Sequence, residues 1–492
     1  MYKSTSLIFI LLFFISTTVK SQESLSTFST EQLQEDYDLL VSALKEGHPG
    51  LYWYKSYAEF EAVFSENRAA IQNNMNSYEF YRLVSKVVTA DMEGHSQVFP
   101  SEEISNYIRN ESNYIPVAVK TVGETIYVVN NIDEHQTQGF IITAINNQPI
   151  ETVVNGIFDH ISRNSDGFTT TGKYKSLNSF GFTALYMSYL NDFDATSVEL
   201  TLLDPKTKKT QTLTVDLVKR AGLVAIAKAL PKVRLDHSRD LFHLEIIDSL
   251  NTAVMYLNDF SYYSFEEENK DFEQLIDSSF QALNKQKIEH LVMDVRNNRG
   301  GNEGAEDFVF SYLTAKPYTK YDYVEANAFT YSFLDHTEFK DDKAPLESML
   351  EDEHELNSDG RILRKADVLP THLPQEDVYN GNLYVLCSGL SYSGGSEFVG
   401  IAKTHSDAVI IGEETGGGFY GQTSGSFVYL VLPNTGIEIR LPLLKFHTNF
   451  YSEEIPFGRG VLPDYEVQQT FDDYLNKVDT ELNFVFELIQ KQ

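Results

Sequence analysis

At 492 residues, 42% hydrophobic and 22% charged, the chain is long and apolar enough to bury several cores, which excludes a disordered protein and predicts two to four domains. A formal charge of -32 excludes a nucleic-acid partner, because neutralising phosphates takes clustered Lys and Arg; the acidity reads as solvated faces that keep the protein soluble. A single cysteine, Cys387, excludes an internal disulfide framework.

Residues 1–21 carry Lys3, then the apolar run SLIFILLFFI, then STTVKS. The run is too short to span a bilayer, and the order of features is that of a cleaved secretory signal. The chain is therefore expected to be exported to a periplasmic or extracellular compartment, with no stable membrane anchor. Residues 22–112 follow with helical apolar spacing, as in EQLQEDYDLLVSALKEGHP and YEFYRLVSKVVTADMEGH, and predict a small helical domain. His48, in HPG, reads as a structural helix stop in front of Tyr52, Trp53 and Tyr54. From 113 to 220 the period becomes that of strands, in PVAVKTVGETIYVVNNI, GFIITAINNQPI and SVELTLLDPKTKKTQTLTVDLV, predicting a β-rich module with one helix.

Residues 221–492 read as an α/β core. LFHLEIIDSLNTAVMYLNDF supplies two strands, FEEENKDFEQLIDSSFQALNKQ a helix, and IEHLVMDVRNNRGG a buried strand that enters a glycine turn. After a polar stretch from Lys316 to Asn380, expected to form a lid or groove wall, GNLYVLCSG is a second buried strand, GSEFVGIAKTH a helix, and DAVIIGEETGGG a third strand with a glycine turn. Strands that alternate with helices and end in polar turns place a site at the strand ends. Asp294 and Arg296, at the end of one such strand, read as a structural pair.

The joint LCSGLSYSGGSEF raises the question of chemistry. A serine hydroxyl attacks only when a base takes its proton and donors hold the oxyanion, and the start of a helix supplies such donors. Ser393 follows a buried strand and precedes Gly394 and Gly395. The competing reading is that Ser391, Ser393 or Ser396 caps the helix, with Glu397 completing a capping box. The spacing G-x-S-x-G is missing, and no phosphate loop, H-E-x-x-H or paired-cysteine set occurs, so neither a cofactor nor a catalytic metal is expected.

LVMDVRNNRGGNEG, then the serine turn, then IGEETGGGFYGQ and GRGVLPDYEV, from Asp240 to Val467, resemble the tail-specific, or C-terminal processing, serine peptidases of the S41 family. GFIITAINNQPI resembles their PDZ-like module, and EGHPGLYWY with DMEGHSQVF their helical N-terminal part. The resemblance implies a multidomain α/β protein with a ClpP/crotonase-like catalytic core. It places the nucleophile on Ser393, because Phe398 stands where S-A-A-E-x-F has its phenylalanine, with Ser396 in reserve. The oxyanion donors fall on the backbone of Gly394 and of Gly301 or its neighbour. In T-x-G-K-G-x-x-Q, Thr415 and Gln422 match while the lysine position is Gly418. The tricorn-like branch carries D-x-H-[ST], which puts the base on His95 with Ser96 beside it. The glutamate that orients the histidine in that branch corresponds to Phe457 here, leaving Glu453 or Glu454, or Glu413 or Glu414, to take its place. The reading is an exported serine endopeptidase acting on extended or unfolded polypeptides through an acyl-enzyme. A non-catalytic peptide-binding protein and a hydrolase of another exported substrate are the alternatives.

Overall fold

Six strands form the sheet on which the site stands: β1 (Phe242–Ile247), β2 (Thr252–Leu257), β3 (His290–Asp294), β4 (Asn382–Cys387), β5 (Val409–Gly412) and β6 (Tyr465–Glu466). They lie side by side in chain order, β1 antiparallel to β2 and every later pair parallel. The structure is a computed structural model and describes residues 25–491 apart from 192, 193, 231 and 234; the expected leader lies outside these residues.

β2 and β3 are buried along their whole length, which explains why their sequences run apolar without alternating. Period two survives in which face each residue serves. Ala253, Met255, Leu257, Leu291 and Met293 pack against helix α1 (Phe272–Gln286), helix α2 (Ala305–Phe310) and helix α3 (Gly394–His405) through Ile276, Phe280, Val309, Phe398 and Ile401. Val254, Tyr256, Val292, Tyr384 and Ile411 face the other way, onto Leu482, Val485 and Ile489 of the terminal helix α4 (Thr480–Gln490). Phe398 is fully buried between α3 and the sheet, so Phe398→Ala costs about 3–5 kcal/mol.

The helices Thr30–Gly47, Tyr57–Ala69 and Ser77–Thr89 form where the spacing placed them, each opened by a Ser or Asn capping box. Their apolar faces share one core with Val324, Phe333, Leu430, Ile439, Leu441 and Phe446 from much later in the chain. Residues 113–219 carry an antiparallel sheet in the order Thr210–Asp216, Ser197–Leu203, Ile141–Ile145, Thr125–Val128, Val119–Val122. Three helices there, Ile150–Phe158, Thr171–Ser176 and Gly181–Tyr189, exceed the one expected, and Arg220–Ala229 adds another. The polar stretch after Lys316 is built into the body: Tyr321–Ala326 pairs with Leu444–Thr448. Among the described residues no helix is long and apolar enough to cross a membrane.

Candidate active site

β3 and β4 end level, Asp294 opposite Leu386, and β5 ends level with β4, Gly412 opposite Cys387. The turns that leave the three strands therefore meet at one edge. Asn298 joins two of them: its carbonyl accepts Tyr392 N–H at 3.0 Å, its Oδ1 accepts Gly300 N–H at 2.8 Å, and its Nδ2 donates to the Leu257 carbonyl at 3.0 Å. Behind this edge Arg296 bonds both oxygens of Asp294 and reaches Asp479 at 2.7 Å, so the expected structural pair also anchors the start of α4.

Three of the four serines in the joint are tied to backbone. Ser388 donates to the Arg296 carbonyl, Ser391 to Val295 and Ser396 to Ser393, at 2.5, 2.8 and 2.8 Å. Ser393 differs. It precedes α3 but its side chain caps nothing, and its hydroxyl has no hydrogen-bond partner among the described residues. Its backbone sits at φ 54°, ψ -131°, a conformation that costs a non-glycine residue about 1–3 kcal/mol. This is the strained strand-to-helix elbow that lifts a nucleophilic hydroxyl clear of the sheet, reached here without the G-x-S-x-G spacing.

Gly300 makes the elbow possible. It has φ 88°, and a Cβ on it would lie 2.7 Å from the Ser393 Cβ and from Gly394 N, and 3.0 Å from the Ser393 Oγ. The N–H groups of Gly394 and Gly301 donate to no partner among the described residues, whereas Gly395 N–H donates to the Tyr392 carbonyl. Two unengaged amides beside a strained serine are what an oxyanion requires.

His95 is 7% exposed, and no hydrogen bond joins it to Ser393. Its Nδ1 instead lies 2.9 Å from the hydroxyl of Tyr392, the residue before Ser393. That hydroxyl donates to Asp166 Oδ1 at 2.9 Å. A phenol has one proton, so with Asp166 ionised the Nδ1 carries a hydrogen toward Tyr392 and Nε2 is left as an acceptor. Burial, then the positive charge of Arg440, pushes the imidazole down to about 3. His95 is thus neutral at physiological pH.

Asp166 collects Gly94 N–H at 3.0 Å and Gly418 N–H at 3.1 Å besides Tyr392. Gly418, which stands at the lysine position of T-x-G-K-G-x-x-Q, therefore supplies an amide to this carboxylate. Burial nevertheless raises Asp166 to about 6, aided by the charge of Asp91. Glu93 is also buried, takes Thr423 N–H at 3.2 Å, and is pushed well above the carboxylate range by burial and by Asp166 and Asp91.

The other residues singled out in the sequence lie elsewhere. Ser96 faces His48 at 3.1 Å, and His48 in turn faces Asp91 at 3.3 Å. Gln422 donates to Glu397 at 2.7 Å. Glu453 and Glu454 are exposed and make no contact with His95; Glu413 pairs with Lys175, and Glu414 with Arg459 at 2.5 Å. Asp166 and Tyr392 went unread. Asp166 stands in an Asp-Gly pair that signals only a turn, and 226 residues separate it from Tyr392.

Fold and site define a serine-type peptidase. Residues 251–467 match the family model of peptidase family S41, and the chain carries an S41 domain there. No curated protein matches the chain by sequence. Among solved structures it is similar to mature CPAF, at 15% identity and a TM-score of 0.61 over 94% of this chain and 97% of that one. It is equally similar to mature CPAF complexed with lactacystin, at 15% identity and a TM-score of 0.60 over 94% and 98% of the two chains. At that identity the likeness concerns the fold.

Proposed function

We propose that Ser393 is the acylating nucleophile and His95 its general base, a Ser-His and not a Ser-Lys arrangement. The observation that carries this is the strained Ser393, whose hydroxyl has no partner among the described residues, packed against the Gly300 turn, with the amides of Gly394 and Gly301 likewise unpartnered among them. Ser393 Oγ attacks a peptide carbonyl, Gly394 and Gly301 N–H receive the oxyanion, and His95 Nε2 takes the proton. The imidazolium then gives that proton to the leaving amine, and water hydrolyses the acyl-enzyme with His95 again as base. Catalytic hydrogen bonds that are open without substrate close in the Michaelis complex, so the absence of a His95–Ser393 hydrogen bond here is compatible with the role. Tyr392 and Asp166 orient the ring and offer it a negative charge when it becomes cationic, the task expected of Glu453 or Glu454.

The buried lysine beside α3 does not suit the role of base. Lys320 contacts Glu306, Asp307 and Glu397, and these carboxylates hold it well above its ordinary value against the cost of burial, so it stays protonated.

The substrate is an extended segment of an exported or unfolded polypeptide. Residues 113–220 act as a PDZ-like module that binds the segment by strand addition. Incubating residues 22–492 with a reduced, carboxymethylated protein tests this by mass spectrometry. Internal cleavage that disappears in Ser393→Ala is expected. Binding without cleavage would return the reading to a peptide-binding protein, and cleavage of esters alone to a different hydrolase.

A further inference from the structure

Next to the turn of Ser393 lies a charge cluster that the mechanism above leaves unused. The ammonium of Lys320 contacts Glu306, Asp307 at 2.6 Å and Glu397 at 3.1 Å. All four residues are buried, so three carboxylates share one ammonium. Such a group is stable only if partners or protons remove the excess negative charge.

The partners are shared unequally. Asp307 accepts the Tyr318 hydroxyl at 2.6 Å and has His372 at 3.5 Å. Glu397 accepts the Tyr321 hydroxyl at 2.9 Å and Gln422 at 2.7 Å. Glu306 Oε1 accepts Lys320 and the Gly304 N–H, but its Oε2 is buried with no hydrogen-bond partner among the described residues. That bare oxygen is directed at the elbow: a Cβ on Gly394 would lie 3.2 Å from it. A dehydrated, unbonded oxygen is the costliest place for charge, so the proton that balances the cluster belongs there. Burial and the charges of Asp307 and Glu397 favour the same protonation, against Lys320.

We propose that Glu306 is a neutral carboxylic acid that keeps negative charge away from the oxyanion turn, and that its ionisation slows acylation. Glu306 touches no reacting atom and is a positioning residue. The proposal rests on Ser393 being the nucleophile. A full negative charge on that oxygen, against the backbone of Gly394, opposes the developing oxyanion; at an effective dielectric of about 20, a unit charge about 6 Å from a second one costs a rate about 100-fold, and that order of slowing is expected. Glu306→Gln preserves shape, an acceptor for Lys320 and neutrality.

The test has two arms. In the first, kcat/KM for a Ser393-dependent peptide cleavage is followed across pH in wild type and Glu306→Gln. The wild type should lose activity on the alkaline side as Glu306 ionises. The variant should keep neutral-pH kcat/KM within about 10-fold and lack that limb, since the amide cannot ionise. Matching profiles, or a larger loss at neutral pH, overturn the proposal. In the second, the infrared difference between the two proteins at neutral pH should contain a buried carboxylic-acid C=O band from the wild type; its absence overturns the proposal whatever the activity. Turnover that survives Ser393→Ala would instead condemn the nucleophile assignment, leaving the infrared arm to decide the protonation of Glu306.

Discussion

Tyr392→Phe removes a single oxygen from the line that joins Asp166 to His95. The ring remains, and with it the packing of Tyr392 on His95 at 4.8 Å between centroids. Asp166 keeps the amides of Gly94 and Gly418, while the His95 Nδ1 loses its acceptor. A hydrogen bond to a charged group contributes about 2 kcal/mol, so losing it as the imidazolium forms lowers kcat/KM roughly 30-fold. The stranded Nδ1–H also reduces folding stability by about 1–3 kcal/mol, which makes it necessary to assay well below the melting transition. The assay is kcat/KM on an internally quenched peptide from pH 4 to 9. In the wild type kcat/KM should climb through about 6, where Asp166 ionises, because only the anion stabilises the cationic ring. The variant, uncoupled from Asp166, should be slower with that limb flattened. A Phe variant with wild-type kcat/KM and the same limb would refute the Asp166–Tyr392–His95 relay.

Asp166 also links activity to stability with opposite signs. Its folded pKa, about 6 against an ordinary 3.8, means that the stability its proton confers is complete below about pH 4 and is lost as pH rises through 6, a change of about 3 kcal/mol in denaturant titrations that Asp166→Asn should abolish along with the rise in activity. Gly300→Ala forces a methyl to within 2.7 Å of the Ser393 Cβ at a φ of 88°, and should lower kcat at least 100-fold while far-UV circular dichroism stays native. Lys320→Met leaves the buried carboxylates of Asp307 and Glu397 without their cation and should cost about 3–5 kcal/mol in urea unfolding, more than any exposed lysine substitution.

How much of this was legible follows from how local each feature is. Strand, glycine turn and helix around Ser393 are consecutive in the chain, and the burial that shapes them is written in LYVLC and FVGIA. The elbow conformation itself was hidden, since its glycine, Gly300, is supplied by another turn. A motif points to His95 as the proposed base, but nothing in the sequence points to its partner: Asp166 comes from a loop of the β-rich region and meets Tyr392 only after folding. Glu453 and Glu454 are candidates by nearness in sequence to GRGVLPD, yet both are exposed and make no hydrogen bond to His95. His48 read as a helix stop, and it is one, yet its ring is buried against Asp91 and Ser96. Lys320 gave no sign at all, because a lysine among tyrosines and threonines reads as solvated until three distant carboxylates surround it.

The most direct test of the central claim is the intact mass of the protein, as residues 22–492, after exposure to a fluorophosphonate, beside its Ser393→Ala form. One covalent adduct on the wild type, mapped to the peptide holding Ser393 and missing from the variant, is the result this account requires. An adduct that persists in Ser393→Ala, or a wild type that takes none while cleaving peptides, would contradict it.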